Sequence, residues 1–449
     1  MKTASKRLSA ALLLAVAAAG AAYLAWSAAA FGPGISPDSM VYLSLSHHMA
    51  AGKGASVYLP ALSMTSDPLT SSPPLCAVVP AVIYALSGVH PAHAALVFNF
   101  FLLGAALFLA AWIVHRVSGS LIAAAAAAFA LFGTLLWRHL FGWVLSEPIY
   151  IVLIEASLLL VFRFSAKPGL AACAAAAAVT GLIPLARYTG AAFIATAAAA
   201  FFAASALPVL RRLRWTIGFA ALASVPFAGW MARNYLLMRK PGVEAKETLF
   251  GFLASELFES GFATFRSVVS DSARAWHSHL TDLFSLPIPT AAAVVLVAAV
   301  FLMGLRRAWG SKNGGGSTAL ARVLFCYALT DYVFLESMLI LAQRTDTADR
   351  YLLSIFTSWT ILGFAAAGSF RWRRAAGIAV VAILSAWVCF KAGQVHEWGI
   401  QTRTTGMDKS SGGRLKFALA ENPFPNPDGF RRYAAFQRMQ ELKAGPPSS

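Results

Sequence analysis

The chain has 449 residues, 58% of them hydrophobic and 12% charged, about half the charged share of an ordinary soluble domain. Long apolar runs recur from end to end, which excludes a soluble globular protein and reads as an all-α, polytopic transmembrane helical bundle. The net charge of +17 is no sign of a nucleic-acid partner, because its distribution follows membrane topology.

Residues 8–30 form the first span, preceded by Lys2, Lys6 and Arg7. The basic start and Ala28-Ala29-Ala30 also fit a cleavable signal peptide, although the apolar stretch is long for one. Residues 31–91 form the first loop. In it, Ser36-Pro37-Asp38-Ser39 reads as a helix start with Asp38 as N-cap, and Asp38 is also readable as a catalytic carboxylate. Residues 74–88 are apolar but hold Pro74 and Pro80, and they fall short of the roughly 20 residues needed to cross a bilayer. Further spans are expected near 92–114, 119–137, 147–164, 169–186, 190–209, 215–233, 289–305, 320–342, 350–369 and 375–393, eleven in all with the first.

Charge decides the ambiguous piece. If residues 74–88 stay on the loop side and the N-terminus is cytoplasmic, the cytoplasmic segments hold 16 basic residues and no acidic one. If residues 74–88 crossed, 13 of those 16 would face outside, against the positive-inside rule. The outer segments are then the loop at 31–91, a short turn at 138–146, a long loop at 234–288, the turn at 343–349 and the tail. The loop at 234–288 carries Leu249, Phe250, Phe252, Leu253, Leu257 and Phe258 among its charges and is expected to form surface-lying amphipathic helices. Residues 310–318 are a flexible cytoplasmic linker. Residues 1–393 form one transmembrane domain, and 394–449 a small extracytoplasmic tail with a helix near 428–443. Cys76, Cys173, Cys326 and Cys389 lie in apolar segments without a C-x-x-C pair, so they read as small hydrophobes. There is no internal repeat and no Walker or G-x-G-x-x-G motif.

On this topology the unusual polar residues converge on the outer boundary. Asp38 follows span one, Glu147 starts span four, Arg187 and Tyr188 lie between spans five and six, Arg233 and Asn234 end span seven, and Arg350 and Tyr351 start span ten. Taken singly, arginine and tyrosine at helix ends anchor or snorkel, and Glu147 before Pro148 is a first-turn acid favoured by the helix dipole. His47 and His48 are adjacent on one helix and point apart, which disfavours a shared zinc site. Glu155, Asp331 and Glu336 are acids within apolar spans, functional by default or helix-holding. Taken together, a loop carboxylate is a base and arginines at headgroup level hold a phosphate. That combination suits a lipid-phosphate substrate.

With those residues in view, the sequence resembles the GT-C superfamily of multi-span glycosyltransferases, and within it the protein O-mannosyltransferases and bacterial aminoarabinose transferases. The resemblance rests on P-D-S-x-x-Y (Pro37 to Tyr42), A-x-G-K-G (Ala50 to Gly54), P-P-L-x-x-x-x-P (Pro73 to Pro80), S-E-P, an R-Y pair, W-x-x-R-N-Y and R-Y-L-L, in family order over roughly residues 8–370. Departures are Ser39 where many members have Glu, Glu147 where Asp is frequent, Cys76 and Ala77 in place of aromatics, and Ser354 after R-Y-L-L. The resemblance implies a GT-C-like bundle with extracytoplasmic loop helices in the cell membrane. It implies inverting transfer from a polyprenyl-phosphate sugar to an acceptor hydroxyl outside the cytoplasm. Asp38 would be the general base and Glu147 the second acid, with Tyr42, Arg187, Tyr188, Arg233, Arg350 and Tyr351 on the substrate. It leaves a divalent metal open. A lipid-linked-sugar transporter or flippase and a non-catalytic scaffold are the other classes; polar groups at one face rather than at midplane, and no repeat, speak against transport.

Overall fold

In the computed structural model, the described residues are 2–29, 33–34, 36–57, 67–69, 72–238, 278, 280–283, 290–309, 316–341, 353–369 and 391–397. They are almost wholly helical. The elements are α1 (Lys2–Ala28), α2 (Pro37–Ala50), β1 (Ser56–Val57), β2 (Asp67–Pro68), α3 (Leu75–Ser87), α4 (Pro91–Ser118), α5 (Leu121–Gly133), α6 (Leu135–Gly142), α7 (Glu147–Ala166), α8 (Leu170–Ala186), a 3₁₀ turn (Tyr188–Gly190), α9 (Ala191–Ala204), α10 (Val209–Met238), α11 (Thr290–Trp309), α12 (Gly316–Leu341) and α13 (Leu353–Ala367). Among the described residues four stretches, Arg7–Ala28, Pro91–Ser118, Glu147–Ala166 and Val209–Leu237, are long and apolar enough to cross a membrane, and shorter apolar helices accompany them. These mark a multi-pass membrane protein. Helix α3, at 13 residues, rises only about 20 Å, short of the roughly 30 Å hydrocarbon core.

Two local readings need correction. The expected span at 119–137 breaks at Thr134, which is extended (φ −77°, ψ 140°). Its backbone N–H at 3.2 Å and its own Oγ1 at 2.8 Å both donate to the Leu131 carbonyl, one of the acceptors at the helix end that lack a full intrahelical bond. The expected turn at 138–146 is instead largely α6, whose Trp137, Leu140 and Phe141 are buried; burial of large side chains overrides the Gly and polar residues around them.

The chain forms two compact units. The first comprises Met1–Ala19, Gly104–Trp137 and Tyr150–Gly393; the second comprises Gly20–Leu103, Arg138–Ile149 and Gln394–Ser449. In the first, α8 packs on α10, α9 on α12, and α11, α12 and α13 on one another. Small residues let the backbones approach: a Cβ on Gly181 of α8 would lie 2.5 Å from the Ala223 carbonyl oxygen of α10. Phe164 stacks on Phe201 with ring centres 4.1 Å apart. Ser157 Oγ lies 2.6 Å from Thr180 Oγ1 and 2.8 Å from Tyr327 Oη, a buried hydroxyl knot across three helices.

Each end of that unit has a polar fastening. Arg307 donates to the Val117 carbonyl (2.9 Å), Ser317 Oγ (3.1 Å) and Ser369 Oγ (3.2 Å), gathering at one place three turns that the charge count assigns to a common face. Elsewhere Lys391, 1% exposed, donates to the Asp282 backbone carbonyl and pairs with its Oδ1 at 3.3 Å. Asp282 Oδ2 accepts the Leu135 N–H at the start of α6, where an acid also suits the helix dipole.

In the second unit, α2 packs on α3. Leu45, Leu69 and Ala77 form its centre, with Val41, Met49, Ala55 and Val57 around them. The antiparallel β1–β2 pair, Ser56 opposite Pro68 and Val57 opposite Asp67, closes the loop over this cluster.

Candidate functional site

Helix α2 begins at a capping box. Ser36 Oγ accepts the Ser39 N–H at 3.2 Å while Ser39 Oγ accepts the Ser36 N–H at 2.8 Å. The cap is therefore Ser36, not Asp38. Pro37 takes the first helical position, where its missing N–H costs nothing, and Asp38 follows in the first turn. Relieved of capping, the Asp38 carboxylate is exposed. Tyr42 follows four residues later on the same helical face and is buried.

Glu147 opens α7 ahead of Pro148 and is 2% exposed; Ser146 Oγ donates to its Oε2 over a long 3.4 Å. The two acids thus differ: one faces solvent, the other is enclosed.

Upstream of both acids the backbone forms one parallel bridge between Gly34 and Trp143. Gly34 N donates to the Gly142 carbonyl at 3.0 Å, and Val144 N donates to the Gly34 carbonyl at 3.1 Å. A Cβ at position 34 would meet the Trp143 ring at 2.3 Å, so only glycine admits this contact. His47 stacks on Tyr84 with centroids 5.6 Å apart, while His48 Nδ1 meets Ser56 Oγ at 3.0 Å. Burial first, and the Lys53 ammonium second, hold both imidazoles below the ordinary value of 6.5.

The arginines belong to the first unit. Helix α8 ends soon after Pro184, and Arg187 is extended (φ −149°, ψ 136°) before the 3₁₀ turn that carries Tyr188. The Arg187 guanidinium lies 5.9 Å from the Tyr150 ring centre. Near the end of α10, Arg233 lies 4.5 Å over the Trp230 ring and donates to Asn234 Oδ1 at 2.8 Å. Trp230 Nε1 donates to Tyr188 Oη at 3.0 Å, and Asn234 Nδ2 approaches the same oxygen at 3.5 Å. Tyr188, Trp230, Arg233 and Asn234 are thus one polar cluster, and stacking on an aromatic face fixes the guanidinium plane. A cluster of this chemistry is suited to an oxyanion such as phosphate.

Arg350 and Tyr351 lie outside the described residues, as do Cys389, the side chains of Asp331 and Glu336, most of the loop at 234–288 and the tail helix. Glu155 is buried on α7, and neither carboxyl oxygen has a hydrogen-bond partner among the described residues. Among those residues no three His, Cys, Asp or Glu side chains gather to hold a metal ion. Sequence reasoning missed Asn99, Arg138 and Trp143. Asn99 and Arg138 are buried, and a lone amide or guanidinium inside an apolar run was the available signal.

No protein-family model and no curated protein matches this sequence. Solved structures do. The oligosaccharyltransferase AglB from Archaeoglobus fulgidus, in complex with an inhibitory peptide and a dolichol-phosphate, superposes with a TM-score of 0.53 at 13% identity, over 96% of this chain and 60% of that one. The Archaeoglobus fulgidus enzyme tethered to an acceptor peptide with an NVT sequon gives 0.51 at 12% identity, over 94% and 59%. ArnT from Cupriavidus metallidurans, bound to undecaprenyl phosphate, gives only 0.37 at 16% identity, over 82% and 78%. The chain therefore spans about three fifths of the archaeal enzyme's length, and what it shares with that enzyme is the fold.

Proposed function

We propose that the chain is a membrane glycosyltransferase that moves a sugar from a polyprenyl-phosphate donor to an acceptor hydroxyl outside the cytoplasm. On this reading the eleven spans and a cytoplasmic N-terminus carry over from the charge count, and residues 394–449 form an outer tail. The acceptor oxygen attacks the anomeric carbon, and the bond to the donor phosphate breaks with its electron pair leaving on the phosphate oxygen, so the anomeric centre inverts. The acceptor proton passes to the Asp38 carboxylate. Arg187, Arg233 and Arg350 stabilise the phosphate charge as it grows, with Tyr42, Tyr188 and Tyr351 on the substrate. Glu147, enclosed, orients neighbours. Asp38 and Glu147 are also the carboxylates that would hold a divalent metal if one takes part.

The observation that supports this reading most is Asp38 itself, an exposed first-turn carboxylate that another residue has relieved of capping. It occurs in a chain whose fold resembles that of an oligosaccharyltransferase. The test is turnover of labelled undecaprenyl-phosphate mannose and undecaprenyl-phosphate aminoarabinose by the reconstituted protein. Cleavage of the sugar–phosphate bond is expected. Glu155, an intramembrane carboxyl without a partner among the described residues, favours a second reading as a transporter of a lipid-linked sugar. Movement of intact donor across vesicles without cleavage would select that reading.

A further inference from the structure

The Gly34–Trp143 bridge is parallel, and Asp38 and Glu147 each follow their bridge residue by four positions. Both strands leave the bridge in the same direction and turn into helix N-termini, α2 and α7. The bridge is therefore the common origin of the two acids. It consists of two backbone hydrogen bonds, too few to be rigid alone. A third contact braces it. Asn99, 4% exposed on the apolar helix α4, donates from Nδ2 to the Trp143 carbonyl at 2.7 Å. The same carbonyl accepts the Leu145 N–H at 3.0 Å, so the amide locks the tight turn leading from bridge to Glu147. A buried amide in an apolar helix is costly unless its hydrogen bonds are used, and this one is spent on a backbone atom of the bridge.

We propose that Asn99 is a positioning residue, which through the Trp143 carbonyl holds the Gly34 bridge and so fixes where Asp38 is presented. It touches no reacting atom. Its catalytic consequence rests on the proposed role of Asp38, but its structural consequence does not.

The experiment has two arms on the full-length protein. In the first, amide hydrogen exchange is followed at Gly34 and Val144, the two bridge donors, in wild type and Asn99→Leu. Exchange at both is expected to rise at least about tenfold, as loss of a buried hydrogen bond implies, while the amides of α8 to α10 stay unchanged. In the second, turnover of labelled undecaprenyl-phosphate mannose is measured. Asn99→Leu should lower kcat about 10- to 100-fold with donor KM unchanged, the usual cost of misplacing a catalytic group. The loss should vanish in an Asp38→Asn background, because both changes act through one group. Unchanged exchange at Gly34 and Val144 overturns the proposal, and so does an equal loss of turnover in the Asp38→Asn background. Should Asn99→Leu fail to fold, Asn99→Ser carries the same test. A wild-type protein inert toward every donor sinks the proposed reaction, and the exchange arm still decides whether Asn99 holds the bridge.

Discussion

The acid-bearing and arginine-bearing regions are built by opposite means. Around Asp38 and Glu147 the positioning contacts are backbone ones: a parallel bridge, a capping box and an asparagine bonded to a carbonyl. Around Arg187 and Arg233 they are side-chain ones: rings, an indole N–H, a phenol and an amide. A backbone-held group is displaced by changes that reach its backbone, such as a Cβ at Gly34 or loss of the Asn99 amide from the Trp143 carbonyl. A side-chain-held group is sensitive to each neighbour, but only by the worth of one contact.

Gly34→Ala breaks the first region most directly. Its Cβ would overlap the Trp143 ring, and overpacking of this kind costs about 3 kcal/mol or more. The expected outcome is a lower midpoint in thermal unfolding and loss of turnover; a wild-type midpoint would mean that the bridge is dispensable. Asp282→Ala comes next, in a third kind of environment. It removes the carboxylate partner of the Lys391 ammonium, 1% exposed, while leaving the Asp282 backbone carbonyl in place, and losing a charged hydrogen bond costs about 1.5–3 kcal/mol, lessened here because Asp282 is 32% exposed. The same unfolding scan reads it, and Lys391→Met should be the milder partner. Equal midpoints for wild type and Asp282→Ala would contradict the pairing.

For the side-chain-held region the effects are smaller and graded. Arg233→Ala should weaken donor use about tenfold, the worth of a charged hydrogen bond, with Arg233→Lys between it and wild type because ammonium cannot stack as a plane. Equal apparent KM for the donor in all three would leave Arg233 as an anchor. The smallest effect is with pH. His47 and His48 have folded pKa values below the unfolded one, so their neutral forms are favoured by folding. Their contribution is complete above pH of about 6.5 and is lost as pH falls through the folded values. Protection factors of α2 and α3 amides at pH 7.5 and 5.5, each corrected for the slower intrinsic exchange at low pH, read it, with lower protection expected at pH 5.5.

Much of the helical plan was legible because α4, α7 and α10 are long apolar runs whose ends carry Arg116, Arg163 and Arg212. The break at Thr134 was not, since one threonine in an apolar run looks like any other, and only its bond to the Leu131 carbonyl reveals a helix end. Asp38 and Glu147 stood out as acids beside prolines. Their common origin did not, because a bridge between Gly34 and Trp143 is a tertiary pairing with no local pattern. Asn99 and Lys391 did leave a signal, a lone polar residue amid apolar ones, whose partners only the fold supplies. Asp38 as N-cap was a reasonable reading of S-P-D-S, but serine at position 36 precedes the proline that must sit inside the helix.

The central claim is that the exposed acid, and not the enclosed one, takes the acceptor proton. Single-turnover transfer from labelled undecaprenyl-phosphate mannose, with donor binding measured alongside, tests it in wild type, Asp38→Asn and Glu147→Gln. Asp38→Asn leaves the Ser36 cap intact and is predicted to bind donor normally while transfer falls at least about 10²-fold, the lower end for losing a general base. Glu147→Gln is predicted to slow the chemical step less. Near-normal transfer by Asp38→Asn would contradict the account.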